Sequence, residues 1–294
     1  MRMTPFRREH IPTVTAAWNL WVDKGFEIDE RLLRQLTFEH PSWADERATL
    51  AFDQERLAGF IIARESDDQT IIDAIAVAPE YRRQGLGRSL VEPFQGRSLR
   101  VGGGPAHFLP GLPHGWTEGI EFVEALNFTA GAQAEDLHLR LGPREAEFTR
   151  CQESEKEALL GMVEREFSKR WTNDTAARFE AKDEADIVIL KKGGKPIAFC
   201  HTWHHHSALL GPSTFWLRHD CPTFGGIGPV GVAQSERGQG LGLKIVVQAL
   251  NSLSTLGVTE VVVDWTAIGP FYEKCGFRSW RHYTGYSRPG QAHP

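Results

Sequence analysis

Helical spacing of apolar residues is clearest in the last third of the chain, where Ile245, Val246, Ala249, Leu250 and Leu253 share one face. Gly257 stands where a C-terminal cap belongs, and the β-branched run Val258–Val263 predicts a strand. The same period predicts helix over 11–38, through Val14, Ala17, Trp18, Trp21 and Val22, and over 155–169, through Leu159, Leu160, Val163 and Phe167. Strands are predicted at 49–52 and 57–63 around a turn at 53–56, at 70–77, at 136–141, at 187–190 and 196–202 around Gly193-Gly194, and at 214–217.

Between a strand that ends at Val230 and Val232 and the patterned helix lies the run Arg237-Gly238-Gln239-Gly240-Leu241-Gly242-Leu243. Glycine accepts positive φ and lets backbone N–H groups approach a ligand closely. The loop runs straight into a helix, whose free N–H groups and positive dipole end favour an anion such as a diphosphate. Its spacing is neither the Gly-x-Gly-x-x-Gly of a dinucleotide fold nor the Gly-x-x-x-x-Gly-Lys-Ser/Thr of a P-loop. One helix and one strand later comes Phe271-Tyr272-Glu273-Lys274-Cys275-Gly276-Phe277.

These two segments, in this order, resemble the GNAT acyltransferases, whose hallmarks are Gln/Arg-x-x-Gly-x-Gly/Ala after a splayed strand and a later aromatic-Tyr-x-Lys-x-Gly-Phe segment. The pattern occurs twice. After a strand ending at Val77, the residues Arg82, Gly85 and Gly87 repeat the first hallmark, with Arg83 between them, and Phe122–Phe128 repeats the second. Asn127 stands in place of Gly276, and asparagine tolerates a left-handed backbone better than other side chains. The chain therefore reads as two tandem modules, 1–142 and 143–294, divided near Gly142-Pro143. The resemblance implies an α/β (α+β) fold, each module a mixed, mostly antiparallel sheet that is splayed before the glycine loop and flanked by helices. The copies are unequal. Val123 replaces the tyrosine, Pro93 shortens or bends the helix after the first loop, and the Gly/Pro-rich run 101–113 predicts loop, either closing a groove or simply connecting.

Composition is that of a globular chain, 41% hydrophobic and 24% charged. A net charge of −5 disfavours nucleic acid or an anionic membrane as the main partner. Cys151, Cys200, Cys221 and Cys275 lack the Cys-x-x-Cys spacing of zinc or redox sites. No signal-like or membrane-length apolar run is present, so a cytoplasmic setting is the expectation. His201, His204, His205 and His206 cluster, but neighbours on a strand point to opposite faces. They read as solvated strand-end residues, and no metal is expected.

The resemblance implies acyl transfer from acetyl-CoA to an amine of a small molecule or peptide. It assigns the cofactor diphosphate to Arg237, Gly238, Gln239, Gly240, Gly242 and Leu243, and the thioester carbonyl to strand backbone near Val230 and Val232. Val77, Arg82, Arg83, Gly85 and Gly87 are the counterparts in the first copy. Tyr272 matches the family's general acid. For the base, Asp264 at its strand end comes first, with His219, Asp220 and His201 as alternatives. The first copy carries a strand carboxylate, Asp73, where the second has none. Two function classes stay open: an N-acetyltransferase working through the second module, and an acyl-CoA-binding protein with one or both modules inactive. Tyr272 favours the first and Val123 the second.

Overall fold

The computed structural model describes residues 1–66, 69–105, 107–145 and 147–290. Its strands are β1 (Arg2–Pro5), β2 (Ala48–Asp53), β3 (Arg56–Ser66), β4 (Gln69–Val77), β5 (Leu99–Val101), β6 (Leu112–Pro113), β7 (Thr129–Arg140), β8 (Ile187–Lys192), β9 (Lys195–His204), β10 (Phe224–Val232), β11 (Glu260–Thr266) and β12 (Arg278–Arg288). The helices are α1 (Ile11–Trp21), α2 (Glu30–Leu36), α3 (Leu86–Val91), α4 (Thr117–Glu124), α5 (Lys156–Glu166), α6 (Lys169–Glu180), α7 (Leu241–Thr255) and α8 (Gly269–Glu273). No helix among the described residues is long and apolar enough to cross a membrane.

Two compact units result: Met1–Ala134 together with the chain from His282 onward, and Glu135–Arg281. In the first, the strands run β1-β2-β3-β4-β5-β12; in the second, β7-β11-β10-β9-β8. Within each unit one pair is parallel, β4 with β5 and β10 with β11, and its other ladders are antiparallel. Both units are thus mixed, mostly antiparallel sheets flanked by helices, as the sequence leads one to expect.

The patterned face of α7 is the buried one: Ile245, Val246, Ala249, Leu250 and Leu253 pack on Val188, Ala198, Ile227, Val261 and Val263. The opposite face of that sheet carries Ile187, Ile189 and Phe199 against Leu159, Val163 and Phe179 of α5 and α6. In the first unit Leu86, Leu90 and Val91 of α3 pack on Ile61, Ile72 and Leu99. As Pro93 predicts, α3 is short and passes into a 3-10 turn at Glu92–Phe94.

The structure differs from the sequence expectations in four places. A single cut at Gly142-Pro143 does not separate the compact units, because β7 and β12 each begin in one and end in the other. From Glu135 onward β7 pairs with β11, and Tyr286–Arg288 of β12 pairs with β5. Each exchanged half-strand closes a sheet position that would otherwise leave backbone groups unpaired. The predicted helix over 11–38 is two helices, because Gly25 takes a φ of 90° and the Asp29 carboxylate caps α2 by accepting the Leu32 N–H at 2.8 Å. The helix predicted over 155–169 likewise stops at Glu166, and α6 starts afresh behind the Ser168 cap. Residues 214–217 are not a strand: 3-10 turns occupy Pro212–Thr214 and Leu217–His219, and both the N–H and the hydroxyl of Thr214 bond back to the Gly211 carbonyl at 2.8 Å. Of the described residues in the 101–113 run, Val101 ends β5, β6 pairs with Tyr283 and Thr284, and the rest are loop.

Asn127 takes a φ of 63°, matching Gly276 at 94°. Asn127→Ala should therefore cost the fold about 1 kcal/mol, the penalty of a left-handed residue without a helpful side chain, and Asn127→Gly should be close to neutral. Thermal unfolding midpoints of the two variants check this.

Candidate active site

In the second unit β10 and β11 pair over Phe224–Ile227 and Glu260–Val263, and the ladder then stops. Beyond this rung β10 bulges against β9 between Ile227 and Val230, and β11 bulges against β7 between Val263 and Thr266. A bulge bends its strand and raises the local twist, so the two strands part. Val230 and Val232 lie half-buried past the parting. The Val232 carbonyl accepts Arg237 Nε at 3.0 Å, which folds the loop back onto the strand end. Gly238 and Gly240 take φ of 80° and 75°, and Gly240 caps α7. Among the described residues none accepts a hydrogen bond from the backbone N–H groups of 238–243. Six donors at a helix start suit a diphosphate, and a Cβ on Gly240 would point into open space where such a group would lie. Gly242 serves packing as well, since its Cβ would sit 3.2 Å from the Phe271 ring.

Tyr272 on α8 is 6% exposed, with Phe271 and Phe277 edge-on to its ring at 4.9 and 5.9 Å. Burial pushes its phenol above the ordinary tyrosine range, and Cys200, Asp264 and Cys275 add to the shift. Asp264 is half-buried on the first residue past the last parallel rung, with Oδ1 4.0 Å from the Cβ position of Gly228 on the facing strand. The structure therefore places Asp264 beside the β10 bulge, and the buried Tyr272 phenol lies near enough to feel its charge. His201 is not available as a base. It is fully buried, held well below the usual imidazole range by that burial and by Arg178, and its Nε2 lies 3.1 Å from the Thr175 hydroxyl. His219 and Asp220 are exposed at the 217–219 turn. The histidine run is not solvated as a group, because His201 and His204 are buried along β9 and only His206 is exposed.

The first unit repeats the frame with other chemistry. Its parallel ladder ends at Ile72 and Val101, as the second ends at Ile227 and Val263. The next residues are Asp73 and Gly102 in one unit, Gly228 and Asp264 in the other, so the carboxylate at the parting has changed strands. Asp73 is buried and ion-paired with the fully buried Arg64. The loop after Gly102 packs into this unit, with His107, Phe108 and Leu109 buried and the Gly102 N–H donating to Ile72 at 2.9 Å. The Val77 carbonyl accepts Arg82 Nε at 3.0 Å, Arg83 takes a φ of 59° where Gly238 takes 80° in the other unit, and Gly85 caps α3. A cleft of about 680 Å³ is lined by Val77, Arg82, Arg83, Gly85, Gly87 and Phe122, among others. Glu118 and Glu121 of α4 pair with Arg82 and Arg83 at 2.6 and 2.7 Å. Val123, at the tyrosine position, is a buried core residue.

The sequence profile described as "Acetyltransferase (GNAT) family" matches residues 14–99 and 156–277, more than half of the chain. The chain belongs to the GNAT family of acetyltransferases. Among curated GNAT relatives, the mycothiol acetyltransferase of Pseudarthrobacter chlorophenolicus is 27% identical over 262 residues, covering 80% of this chain and 75% of that one. That of Thermobispora bispora is 28% identical over 280 residues, covering 89% of each. Among solved structures, a GCN5-related glucosamine N-acetyltransferase region of a fungal multi-domain GH3 beta-N-acetylglucosaminidase superposes with a TM-score of 0.85 at 23% identity, over 98% of this chain and 38% of that protein. A tandem GNAT protein from the clavulanic acid biosynthesis pathway gives 0.68 at 13% identity, over 100% and 99% of the two chains. At these identities the structures establish the fold alone.

Within this GNAT frame, Gly228 opens the motif-bearing stretch of the sequence without a role of its own, and Trp203 reads there, with Trp216 and Trp265, only as a groove border of no weight; the Trp203 indole N–H donates to the Gly228 carbonyl at 2.8 Å. The signal was present: Gly228-Pro229 interrupts a strand, and such residues mark bulges. The raised Tyr272 phenol yields a direct test. It should remain protonated through about pH 11, past the ordinary tyrosine value of about 10. Tyr272→Phe should therefore leave the ultraviolet tyrosinate titration of the folded protein unchanged between about pH 9 and 11. A lost equivalent in that window would show an exposed phenol.

Proposed function

We propose that this GNAT protein transfers an acetyl group from acetyl-CoA to a small-molecule or peptide amine, and that turnover belongs to the second unit. The observation that carries this reading is Asp264 standing beside Gly228 where β10 and β11 part, with a buried Tyr272 whose phenol feels the Asp264 charge. Acetyl-CoA supplies the activated acetyl group. The open N–H groups of 238–243 and the guanidinium of Arg237 hold its diphosphate. Backbone near Val230 and Val232, past the end of the β11 ladder, polarises the thioester carbonyl, where negative charge grows during attack. Asp264 takes a proton from the acceptor ammonium, and Tyr272 gives its proton to the departing thiolate. Two protons leave nitrogen on the way from ammonium to amide: Asp264 passes the first to solvent, the second is lost from the tetrahedral adduct and restores the tyrosine phenol, and sulfur keeps the proton that Tyr272 gave.

The relatives' name makes the unacetylated form of mycothiol the first acceptor to try, beside a panel of small amines and short peptides. In the first unit Val123 offers no proton and Asp73 is committed to Arg64. Its cleft supports a second role, acyl-CoA binding without turnover.

With thiol release as the readout and acetyl-CoA saturating, Tyr272→Phe should lower kcat about a hundred- to ten-thousandfold with little change in acetyl-CoA affinity. Gly240→Asp should abolish turnover and remove one binding equivalent by calorimetry, because it adds bulk and like charge at the phosphate site. Gly85→Asp should leave turnover largely intact. If Gly85→Asp silences the protein and Tyr272→Phe does not, the first unit is the catalyst.

A further inference from the structure

Where β10 bulges, its backbone loses the ladder to β9, and the peptide at Gly228 has no strand partner to set its direction. Side chains of β9 hold it instead. The Trp203 indole N–H donates to the Gly228 carbonyl at 2.8 Å, and the Gly228 N–H lies on the Cys200 thiol. With a φ of 129°, Gly228 sits where other residues rarely go, so no local preference fixes it either.

The indole is itself clamped. It lies against Gly211 so closely that a Cβ there would overlap the ring. The guanidinium of Arg178 stands over it at 4.0 Å. Arg178 is fully buried, donates to the Thr202 carbonyl at 2.9 Å, and is paired with Asp186 at 3.2 Å and Asp183 at 3.5 Å. Asp186 is held in turn by His204 Nε2 and the Ser207 hydroxyl, each at 3.0 Å. A buried charge cluster is a costly way to stabilise a fold. Here its cation bears on the side chain that fixes the bulge.

The first unit supports the assignment independently. Arg64 faces Ile71 across β3 and β4 as Trp203 faces Gly226 across β9 and β10. From that rung Arg64 reaches Asp73, the residue at Gly228's position. In both copies the same place on the neighbouring strand holds the first residue past the parting.

We propose that Trp203 is a positioning residue: clamped by Arg178 and Gly211, its indole N–H fixes the Gly228 peptide and thereby aims the β10 backbone at the thioester carbonyl. This rests on the reading that the second unit binds acetyl-CoA.

The test is isotope-edited infrared spectroscopy of acetyl-CoA labelled with carbon-13 at the carbonyl and bound to the full chain. The band that Gly240→Asp removes belongs to the second unit. Polarised by backbone donors, it should lie below the band of free acetyl-CoA. In Trp203→Phe, and in a variant carrying the benzothiophene analogue of tryptophan at 203, it should move back toward the free position. Calorimetric affinity should stay within about threefold. The analogue keeps the ring shape and replaces only the N–H, so it decides the matter if Trp203→Phe does not fold. An unmoved band in the analogue variant overturns the proposal, as does a shift accompanied by loss of binding, which is what a merely structural role predicts. If Gly240→Asp removes no band, the premise that the second unit binds acetyl-CoA fails instead.

Discussion

The parallel ladder between β10 and β11 stops after Ile227 and Val263, and most of the site follows from that stop. Backbone donors and acceptors past the last rung must find partners outside the ladder or remain open. Several are met by side chains: Trp203 takes the Gly228 carbonyl, Arg237 takes that of Val232, and Asp136 accepts the Trp265 N–H at 3.0 Å. Trp265 has a φ of 45°, so β11 turns away at that point. What these side chains leave unclaimed is a strand end and a helix start whose N–H groups face outward. The glycine loop is the continuation of the same break, tied to its strand by a single arginine.

The first unit meets the same constraint with the opposite electrostatics. Its carboxylate stands on the strand before the loop, buried, and Arg64 donates to it while also bonding the Leu36 carbonyl and the Ser42 hydroxyl, each at 2.8 Å. Removing one member of a buried pair typically costs about 3–5 kcal/mol. Asp73 is thus tied into the framework through Arg64, although its burial pushes the carboxyl above the usual carboxylate range. Asp264 in the second unit is half-buried, on the other strand of the pair, with Oδ1 4.0 Å from the Cβ position of Gly228.

Local signals were legible in the sequence because they are enforced locally. The glycines at 238 and 240 are needed for backbone angle, the α7 face for burial, Asn127 for a left-handed turn, and Pro93 interrupts a helix because it falls beyond the first turn. The exchange of β7 and β12 between units was not legible, since a period of two looks the same whichever sheet receives it. The second break, at Ser168, was hidden because Phe167 continues the helical spacing even though the backbone leaves the helix there. The histidines misled for a related reason: β9 lies inside its sheet, so His201 and His204 are buried despite standing near a strand end. Trp203 was invisible as a functional side chain because its partner is a backbone carbonyl that only the bulge sets free.

A retained glycine motif in the first unit is weak evidence of ligand binding taken alone. Gly87 is required by packing, since its Cβ would meet the Phe122 ring at 2.8 Å, and Gly85 by its φ of 85°. A copy that only needed to fold would keep both. The cleft beside them is a different matter, because folding does not call for about 680 Å³ of open space. Nor do the ion pairs across it close it. Arg83 and Glu121 are 77% and 53% exposed, and exposed pairs contribute about 0–1 kcal/mol. Arg82 is held more firmly, bonding the Val77 and Trp21 carbonyls at 3.0 and 3.2 Å besides Glu118. It is this space and the exposed Arg83–Glu121 pair across it, more than the motif, that the proposed acyl-CoA binding by the copy without the tyrosine rests on.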